Sequence, residues 1–509
     1  MEYSEEGVSM PLSPMADCLS SPLISVFVLG VLESHTPIHH SIAQPLLKDL
    51  FLPISTRFSS ILVVDKKGKK AWKQVHVDIN QHIKIPTFPT ATPLKLYDQR
   101  FNEYMSKIAM EELPQDKPLW EMHIFNYPTT NAAGTFIFKL HHALGDGYSF
   151  MTTLLSCLHN AHNPSIPIKF PSSRKGSMES KNTKTMLKIL PQTASMVFKG
   201  VFDFGWTLLK DSLIPDDQTP IRSGHKDVGF RPMTIFNVSL SLDDIKAIKD
   251  KLEVVRSPFF LMPQMSLTWM FQLEERSVND VLVGVILFGI QLYMGAKDDK
   301  SSRAESTAMV LLNTRKIRAY ISAKEMHDTH SQAPWGNRFH FMHVPIPLLI
   351  SDSTSLNPLE FVLEANKNIE RMRNSLAVPL TGVLFRLLNQ IKGPQAAANY
   401  VYKKLNNTSL SISHMIGPVE QVALANHPIK GLYFMTVGLS QSMTVTITSY
   451  MGHIRIGFGV EEGFIDEYQL KSCFETSLGA MLNAAKIWPL KTRFKVVLVA
   501  FKRMQIESV

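Results

Sequence analysis

The segment of this chain best suited to chemistry is residues 141–147, which read HHALGDG. The unperturbed pKa of histidine lies near working pH, so a histidine fixed at the end of a strand is a good general base. His142 is the candidate base, with His141 beside it. Asp146 can fold back to hold the loop or to orient the imidazole. Gly147 can adopt a positive φ, which would let the loop reverse sharply.

The HHxxxDG motif indicates a catalytic site only when all of its residues are present. A histidine and an aspartate four residues apart occur by chance in many chains of this size, and alone that pair favours a structural role. The complete HHxxxDG pattern at a junction between a strand and a helix is much more specific. A second pair, His39 and His40, has Gln44 in place of the acid, so it is expected to lie on the surface.

The elements around the motif must deliver it to a fixed position. Residues 135–140 (TFIFKL) form a β-rich run directly before the two histidines, and residues 148–162 are predicted to form a helix after the loop. Further elements are predicted upstream: strands at 24–28 and 58–64, and helices at 45–51 and 97–110.

The chain has 509 residues, too many for one ordinary core. Helical and strand-like patterns alternate on both sides of a polar region, which predicts an α/β (α+β) protein of two domains. The predicted division is an N-terminal domain at 1–162, a linker at 163–231, a C-terminal domain at 232–485 and a basic, apolar tail at 486–509. The linker contains an amphipathic segment, 186–214, which either packs on the protein or lies in a membrane interface.

The composition of the chain indicates a globular protein and disfavours several other classes. Hydrophobic residues make up 45% and charged residues 19% of the chain, which is normal for a globular protein. Cys18, Cys157 and Cys473 are far apart, so neither a disulfide framework nor a metal cluster is predicted. The formal charge of +9 fits either an ordinary basic enzyme or attraction to a membrane surface or to ligand phosphates. Nucleic acid is disfavoured because the basic runs are short and no zinc-finger or RNP pattern accompanies them.

Motifs of several other enzyme classes are absent from the sequence. There is no GxSxG elbow, which disfavours an α/β-hydrolase, and no P-loop or Rossmann fingerprint. We expect no signal peptide, and the apolar run at 281–294 is too short to span a bilayer.

Several motifs in a fixed order resemble the wax ester synthase/diacylglycerol acyltransferase family, and its plant branch most. The HHALGDG segment follows residues 118–121 (PLWE), as it does in that family. The other matching segments are 279–285 (NDVLVGV), 312–315 (LNTR), 336–337 (GN), Gly417-Pro418 and Gly438. The resemblance covers roughly residues 10 to 485.

The resemblance implies two chloramphenicol-acetyltransferase-like domains that face each other across a substrate tunnel, with the HHxxxDG loop at its middle. It implies that His142 takes the proton of an acceptor hydroxyl, whose oxygen then attacks an acyl-CoA thioester. It also implies that Asp146 holds the loop through an ion pair, for which Arg315 is a candidate partner. His141 would support either the shape of the loop or substrate binding.

The expected partners are acyl-CoA, a long-chain alcohol or diacylglycerol, and a membrane surface, with no nucleic acid. Acyl-CoA would be a substrate, so no separate cofactor and no metal is expected. Asn279 and Asp280 are candidate substrate-binding residues, although a buried asparagine bonded to backbone is an equally good interpretation of Asn279. The family implies a location at the cytosolic face of the endoplasmic reticulum membrane, the plasma membrane, or both.

Some features depart from the family pattern or imitate another one. Residues 253–276 are an insertion before Asn279, residues 413–415 read SHM where the family has Ser-Asn-Val, and the tail at 491–509 matches nothing in the family. Residues 203–206 (DFGW) imitate a motif of the BAHD acyltransferases but lie far from its usual C-terminal position. Two alternatives stay open: a BAHD-like or condensation-like acyltransferase with a smaller acceptor, and an inactive lipid-binding homologue.

Overall fold

A computed structural model describes residues 10–64, 69–89, 93–170, 190–225, 231–255, 278–298, 300–315, 320–328, 330–331, 334–349 and 358–487. The tail at 491–509 and nearly all of the insertion at 253–276 lie outside the described residues. Most of the stretch before the amphipathic segment does so too.

The structure alternates strands and helices along the whole chain. The strands are β1 (Met10–Pro11), β2 (Ser20–Ser21), β3 (Ile24–Ser25), β4 (Phe27–Ser34), β5 (Ser60–Val64), β6 (Lys70–Gln74), β7 (Ile83–Lys84), β8 (Trp120–Phe125), β9 (Gly134–His141), β10 (Leu158–Asn160), β11 (Met233–Ser241), β12 (Thr307–Asn313), β13 (Phe339–Pro345), β14 (Leu410–Ile416), β15 (Val422–Leu424), β16 (His427–Val437), β17 (Met443–Tyr450) and β18 (His453–Glu461). The α-helices are α1 (Pro14–Leu19), α2 (Ala43–Pro45), α3 (Leu94–Met110), α4 (Gly147–Cys157), α5 (Leu190–Ser212), α6 (Leu242–Val255), α7 (Val278–Lys297), α8 (Ala323–His327), α9 (Pro358–Arg373), α10 (Ala377–Ile391), α11 (Pro394–Asn406) and α12 (Glu467–Ile487).

The first large sheet has the strand order β10-β15-β16-β4-β9-β8-β7. Its centre, β4 and β9, pairs antiparallel with Phe27 opposite His141. All eight residues of β9 are buried, including the polar side chains of Thr135, Lys139 and His141. Two strands of this sheet, β15 and β16, come from the C-terminal part of the chain.

The second large sheet has the order β11-β18-β17-β14-β12-β13. Its centre is parallel, because β14 runs parallel to both β12 and β17. Residues of α7, α9 and α12 form one apolar core with residues of this sheet. The helix α7 is long and apolar enough to cross a membrane, but it is mostly buried inside the protein and serves as a core helix. Smaller sheets are β1-β6-β5 and β2-β3.

The mixed α/β class agrees with the sequence prediction, and so do the strands around the motif. One element differs. The helix predicted at 148–162 ends at Cys157, and the prediction is wrong beyond that point. Residues 158–160 instead form the edge strand β10, which pairs antiparallel with β15 from far along the chain. A local pattern cannot report such pairing, because the partner is more than 250 residues away.

The predicted domain limits remain a prediction, and the sheets add one fact to them. The C-terminal segment that forms β15 and β16 leaves the second sheet after β14 and completes the first sheet beside β4. The two halves of the molecule are therefore joined by β15 and β16, which the C-terminal half contributes to the first sheet, as well as by the linker. A buried ion pair between Arg455 on β18 and Glu33 on β4, 2.7 Å long, connects the two sheets directly.

Candidate active site

Backbone hydrogen bonds fix both histidines at the end of β9. The His141 N–H donates to Leu119 O at 3.0 Å, and the His142 N–H donates to Val26 O at 2.8 Å. Leu119 belongs to the PLWE segment at 118–121, so the structure explains why that segment and the histidine pair occur together. The main chain at both histidines is held from two neighbouring segments, and little freedom remains at this point.

The side chain of Asn337 sets the tautomer of His142. Its amide Nδ2 donates to the His142 carbonyl oxygen at 2.9 Å, and a carbonyl cannot donate, so the orientation of the amide is determined. The Asn337 Oδ1, 2.9 Å from His142 Nδ1, must then accept a proton from that nitrogen. The proton of the neutral imidazole therefore sits on Nδ1, and the Nε2 lone pair is available as a base.

The surroundings of His142 are apolar and keep it neutral. Its ring lies between Phe150 and Phe339, at centroid distances of 6.1 and 5.7 Å. Burial lowers the pKa of His142 below its ordinary value, although the charge of Asp146 and the bond to Asn337 act in the opposite direction. The imidazole is consequently unprotonated at neutral pH, as a general base must be.

His142 also lines a narrow cavity of about 30 Å³ between the two halves of the molecule. Most of the lining is apolar, and it includes Val26 and Leu19 from the first half and Phe339 from the second. Ser413 on β14 contributes a hydroxyl group to this lining. A base beside a mostly apolar space can act on a bound hydroxyl with less competition from solvent than a base on the open surface.

His141 supports the loop. Its Nδ1 accepts the Ala143 N–H at 3.0 Å, so its proton is on Nε2, which faces the Ser25 hydroxyl at 3.4 Å. Burial lowers the pKa of His141 to about 3, with a smaller contribution in the same direction from His142. Both nitrogens are thus committed to neighbouring groups, which agrees with a supporting role and leaves proton transfer to His142.

Asp146 forms a buried, bidentate ion pair with Arg315. Arg315 donates to its two carboxylate oxygens at 2.7 and 2.9 Å, and the side chains of both residues are almost fully buried. The carboxylate also accepts the backbone N–H groups of Ser149, as the N-cap of α4, and of Arg338, at 3.0 and 2.9 Å. Arg315 donates further to Gly336 O at 2.8 Å. This geometry holds the HHxxxDG loop, the start of α4 and the 336–338 turn together.

The predicted role of Gly147 in a positive-φ turn is wrong. Gly147 is the first residue of α4 and does not have a positive φ, and a side chain there would meet Met415 at an ordinary 3.6 Å. Gly145 is the glycine that the loop requires for space, because a Cβ there would lie 2.8 Å from the Ser149 Cβ. The chain enters the helix directly from the Asp146 cap and needs no left-handed residue.

Asn279 and Asp280 lie in the first turn of α7. Asn279 Nδ2 donates to His414 Nδ1 at 3.1 Å, and Asp280 forms an ion pair with Arg373 of α9. His414 follows Ser413 on β14, so their side chains point to opposite faces of the sheet. The structure therefore does not bring Asn279 and Asp280 together with the cavity of His142, and their substrate-binding role stays a prediction.

The fold and the site together define a class. Solved structures with the same fold include the wax ester synthase/diacylglycerol acyltransferase from Marinobacter aquaeolei VT8, with 15% identity, a TM-score of 0.55 and coverage of 94% of this chain and 100% of that chain. The starter condensation domain of rhizomide synthetase, solved with C8-CoA and Leu-SNAC, aligns with 10% identity, a TM-score of 0.52 and 94% coverage of both chains. The chain thus has the two-domain fold shared by acyltransferases and condensation domains.

Two family models match this chain and together span most of it. The wax ester synthase/diacylglycerol acyltransferase catalytic domain matches residues 56–255, and the WS/DGAT C-terminal domain matches residues 335–482. The Arabidopsis thaliana wax ester synthase/diacylglycerol acyltransferases 4 and 5 are 25% and 27% identical, covering 94% of this chain and 91% and 94% of those proteins. The chain belongs to the wax ester synthase/diacylglycerol acyltransferase family, which confirms the resemblance noted in its sequence.

Asn337 is the site residue that sequence reasoning missed. The sequence marked it only as part of a Gly-Asn turn, and nothing in its spacing connects it with His142, which lies 195 positions earlier. The available signal was the recurrence of that turn among the ordered family motifs. A loop residue that belongs to a family motif is a good candidate for contact with the active site.

Proposed function

We propose that this chain is an acyl-CoA-dependent O-acyltransferase that forms wax esters, triacylglycerol or both. The observation that carries the proposal is the state of His142: a neutral imidazole whose proton is held on Nδ1 by Asn337, in a side chain that lines a mostly apolar cavity. Membership of the family supports the reaction class, and the names of the Arabidopsis relatives support both products.

The proposed reaction needs one proton shuttle. His142 Nε2 removes the proton of an acceptor hydroxyl, and the oxygen forms a bond to the thioester carbon. The tetrahedral oxyanion then collapses, the C–S bond breaks, and the imidazolium returns the proton to the departing thiolate. Atoms and charges balance without a metal or a redox group, so we propose that none is required, and we expect turnover to survive dialysis against EDTA.

The acceptor is the first thing to measure. Purified chain is supplied with labelled palmitoyl-CoA and with either hexadecanol or a diacylglycerol, and the esters and free CoA are quantified. We expect ester formation with at least one of the two acceptors and one CoA released per ester. If folded protein binds both substrates but forms no ester, the lipid-binding alternative holds instead. Turnover confined to short, polar alcohols would favour the smaller-acceptor alternative.

We also propose that the helices α5 and α10 place the protein on a membrane surface. The two helices pack closely, since a Cβ at Gly200 would lie 2.9 Å from the Leu376 side chain. Together they carry a group of exposed apolar side chains, which we call the apolar face. Its members are Val201, Phe202, Trp206 and Leu209 on α5, Leu213 directly after it, and Val383, Leu387 and Ile391 on α10.

The chemistry of this face fits a lipid bilayer. Phe202, Leu213 and Ile391 are 69%, 72% and 77% exposed, which are large fractions for apolar side chains of this size. Trp206 is amphipathic and suits the headgroup region, and the exposed Lys392 follows Ile391 directly. Both proposed products and both proposed acceptors partition into lipid, so an enzyme resting on the bilayer meets them at high local concentration.

Vesicle binding tests the apolar face. The double variant Phe202→Ser/Leu213→Ser is compared with the parent in flotation with phosphatidylcholine vesicles, with and without phosphatidylserine. We expect the variant to lose most of its binding. Leu94→Ser on α3, where the leucine is 47% exposed, is the matched control and should bind as the parent does. Equal binding by all three proteins would exclude this face as the membrane contact.

We propose the cytosolic face of the endoplasmic reticulum membrane, the plasma membrane, or both, as the location. The proposal rests on the family and on the lipid character of the proposed substrates. Imaging of a fluorescent fusion in plant cells, with fractionation of the membranes, tests it. A fusion found only in the soluble fraction would contradict it.

A further inference from the structure

A cavity of about 400 Å³ opens beside the active site and is lined by cationic side chains. It lies between the residues around Pro14, the 335–338 turn, and the helices α10 and α11. The charged groups on its wall are Arg57, Arg338, Arg386 and Lys404, with His340 among them. The described residues that line this cavity include no carboxylate.

Among the residues that the structure describes, no carboxylate neutralises the arginines of this wall. Lys404 forms an ion pair with Asp211 at 3.0 Å, so its charge is compensated. No ion pair joins Arg57, Arg338 or Arg386 to a carboxylate within the part of the chain that the structure describes. Burial, and next the neighbouring charge of Arg338, lower the pKa of Arg57 to about 10, so it stays protonated at neutral pH. Like charges gathered in this way repel one another, and an anion bound among them would relieve that repulsion.

The cavity adjoins the residues that surround the catalytic histidine. Asn337 lines it and is bonded on its other side to His142. Phe339 and Phe341 line both this cavity and the narrow space that contains His142. A molecule with an anionic end and a long reactive arm can therefore hold its anion at the arginines and extend its arm past the two phenylalanines to the base.

We propose that Arg338, Arg386 and Arg57 form the binding site for the phosphate groups of the acyl-CoA donor, which enters the molecule by this cavity. The inference rests on the proposed transfer from acyl-CoA and adds which face and which residues receive the donor. Guanidinium groups bind phosphates through paired, charge-assisted hydrogen bonds, and three of them match the several phosphates of coenzyme A. The acceptor must then approach His142 from another direction.

Substitutions that remove charge but keep hydrogen-bonding capacity test the site. Arg338→Gln, Arg386→Gln and their double variant are compared with the parent, and Arg303→Gln, an exposed arginine outside the cavity, is the matched control. Arg57 is kept, because it also donates to Leu144 O at 3.1 Å in the catalytic loop. We expect KM for palmitoyl-CoA to rise roughly tenfold or more in the double variant, as for lost charged hydrogen bonds. The control should match the parent.

A donor without phosphates separates this role from a structural one. The parent should use palmitoyl-CoA with a higher kcat/KM than palmitoyl-pantetheine, and that preference should fall about tenfold in the double variant. A preference that is the same in both proteins would overturn the proposal, and so would an unchanged KM for palmitoyl-CoA.

The binding of CoA can be measured directly, so the inference can be tested even if the protein forms no ester. Calorimetry with free CoA and with 3′-dephospho-CoA measures the site without turnover, so failure of the proposed reaction and failure of this site are distinguishable. We expect the parent to bind CoA more tightly than 3′-dephospho-CoA and the double variant to bind both weakly. If the double variant binds CoA normally but loses binding to phosphatidylserine vesicles, the arginines contact lipid headgroups and the proposal is wrong.

Discussion

At the residue scale, the chemistry depends on which nitrogen of His142 carries the proton. Asn337 determines this through two hydrogen bonds that only one orientation of its amide allows. An asparagine in this position holds the tautomer without adding charge, so burial continues to dominate the pKa of the imidazole. A carboxylate in the same place would hold the same tautomer and would also stabilise the imidazolium.

The pH dependence of turnover follows from this. His142 is active when neutral, and its pKa lies below the ordinary 6.5. Activity should therefore persist as the pH falls, with the acidic limb of kcat/KM below pH 6.5. In Asn337→Asp, an anion beside Nδ1 raises the pKa, and we expect the limb to move upward by about one unit or more. The matched control Asn80→Asp, an exposed asparagine, should leave it in place. A limb that stays fixed or moves downward in Asn337→Asp would contradict the assignment.

The ion pair between Asp146 and Arg315 is a second property of single residues. Asp146→Asn keeps the helix cap, since asparagine caps as well as aspartate, and removes only the charge. Arg315 would be left buried and unpaired, so we expect a loss of about 3 kcal/mol in the free energy of unfolding, measured by urea denaturation. Asp116→Asn, at an exposed position, should be neutral within about 0.5 kcal/mol. Equal stability of all three proteins would show that the pair does not hold the loop.

Much of this site could be predicted from the sequence, because its parts are adjacent in the chain. His142, His141 and Asp146 stand within one loop, and the family motifs named Arg315 as the partner of Asp146. Asn337 and Gly145 could not be assigned in this way. The first acts across the interface between the two halves, and the second is required by a close approach to Ser149 that only the folded loop creates.

At the element scale, α5 shows what an amphipathic pattern does and does not determine. The sequence predicted a helix at 186–214 and left open whether it packs on the protein or lies in a membrane interface. The helix Leu190–Ser212 packs on the protein along one side, where Asp211 is buried and receives bonds from Lys404 and Tyr400 of α11. The residues of the apolar face are exposed on the helix, so a single helix can serve both interactions.

The buried charge of Asp211 is expected to fasten α5 to α11. Burial alone would raise the pKa of Asp211, but Lys404 and the groups bonded to it lower it to about 2. In Asp211→Asn, Lys404 keeps its charge without a partner, and we expect a loss of about 3 to 5 kcal/mol in the free energy of unfolding. The double variant Asp211→Asn/Lys404→Met removes both charges and should recover part of that loss. If the double variant is less stable than the single one, the pair is not what joins these helices.

At the scale of the whole molecule, the site exists only because the two halves meet. His142 is supplied by the first sheet, whereas Asn337 and Arg315 come from segments next to strands of the second. Two features hold the halves in one arrangement. The C-terminal half contributes β15 and β16 to the first sheet, and Glu33 forms an ion pair with Arg455. Sequence patterns predicted two α/β domains. They did not predict that β15 and β16 join the first sheet, because pairing between distant strands has no local signature.

The arrangement also places the proposed donor cavity next to the apolar face. The helix α10 contributes to the apolar face and, through Arg386, to the cationic cavity. A protein lying on a bilayer by this face would therefore keep the donor cavity near the membrane surface, where long-chain acyl-CoA also gathers.

The most direct test of the central claim is turnover after removal of the His142 imidazole. His142→Ala is compared with the parent and with His162→Ala, an exposed histidine just beyond β10, in the palmitoyl-CoA assay with the better acceptor. We predict that kcat falls by about 100-fold or more in His142→Ala while its affinity for CoA persists, since a general base typically contributes roughly 10² to 10⁴ in rate. His162→Ala should turn over as the parent does. Equal turnover by the parent and a folded His142→Ala protein would contradict general-base catalysis by His142.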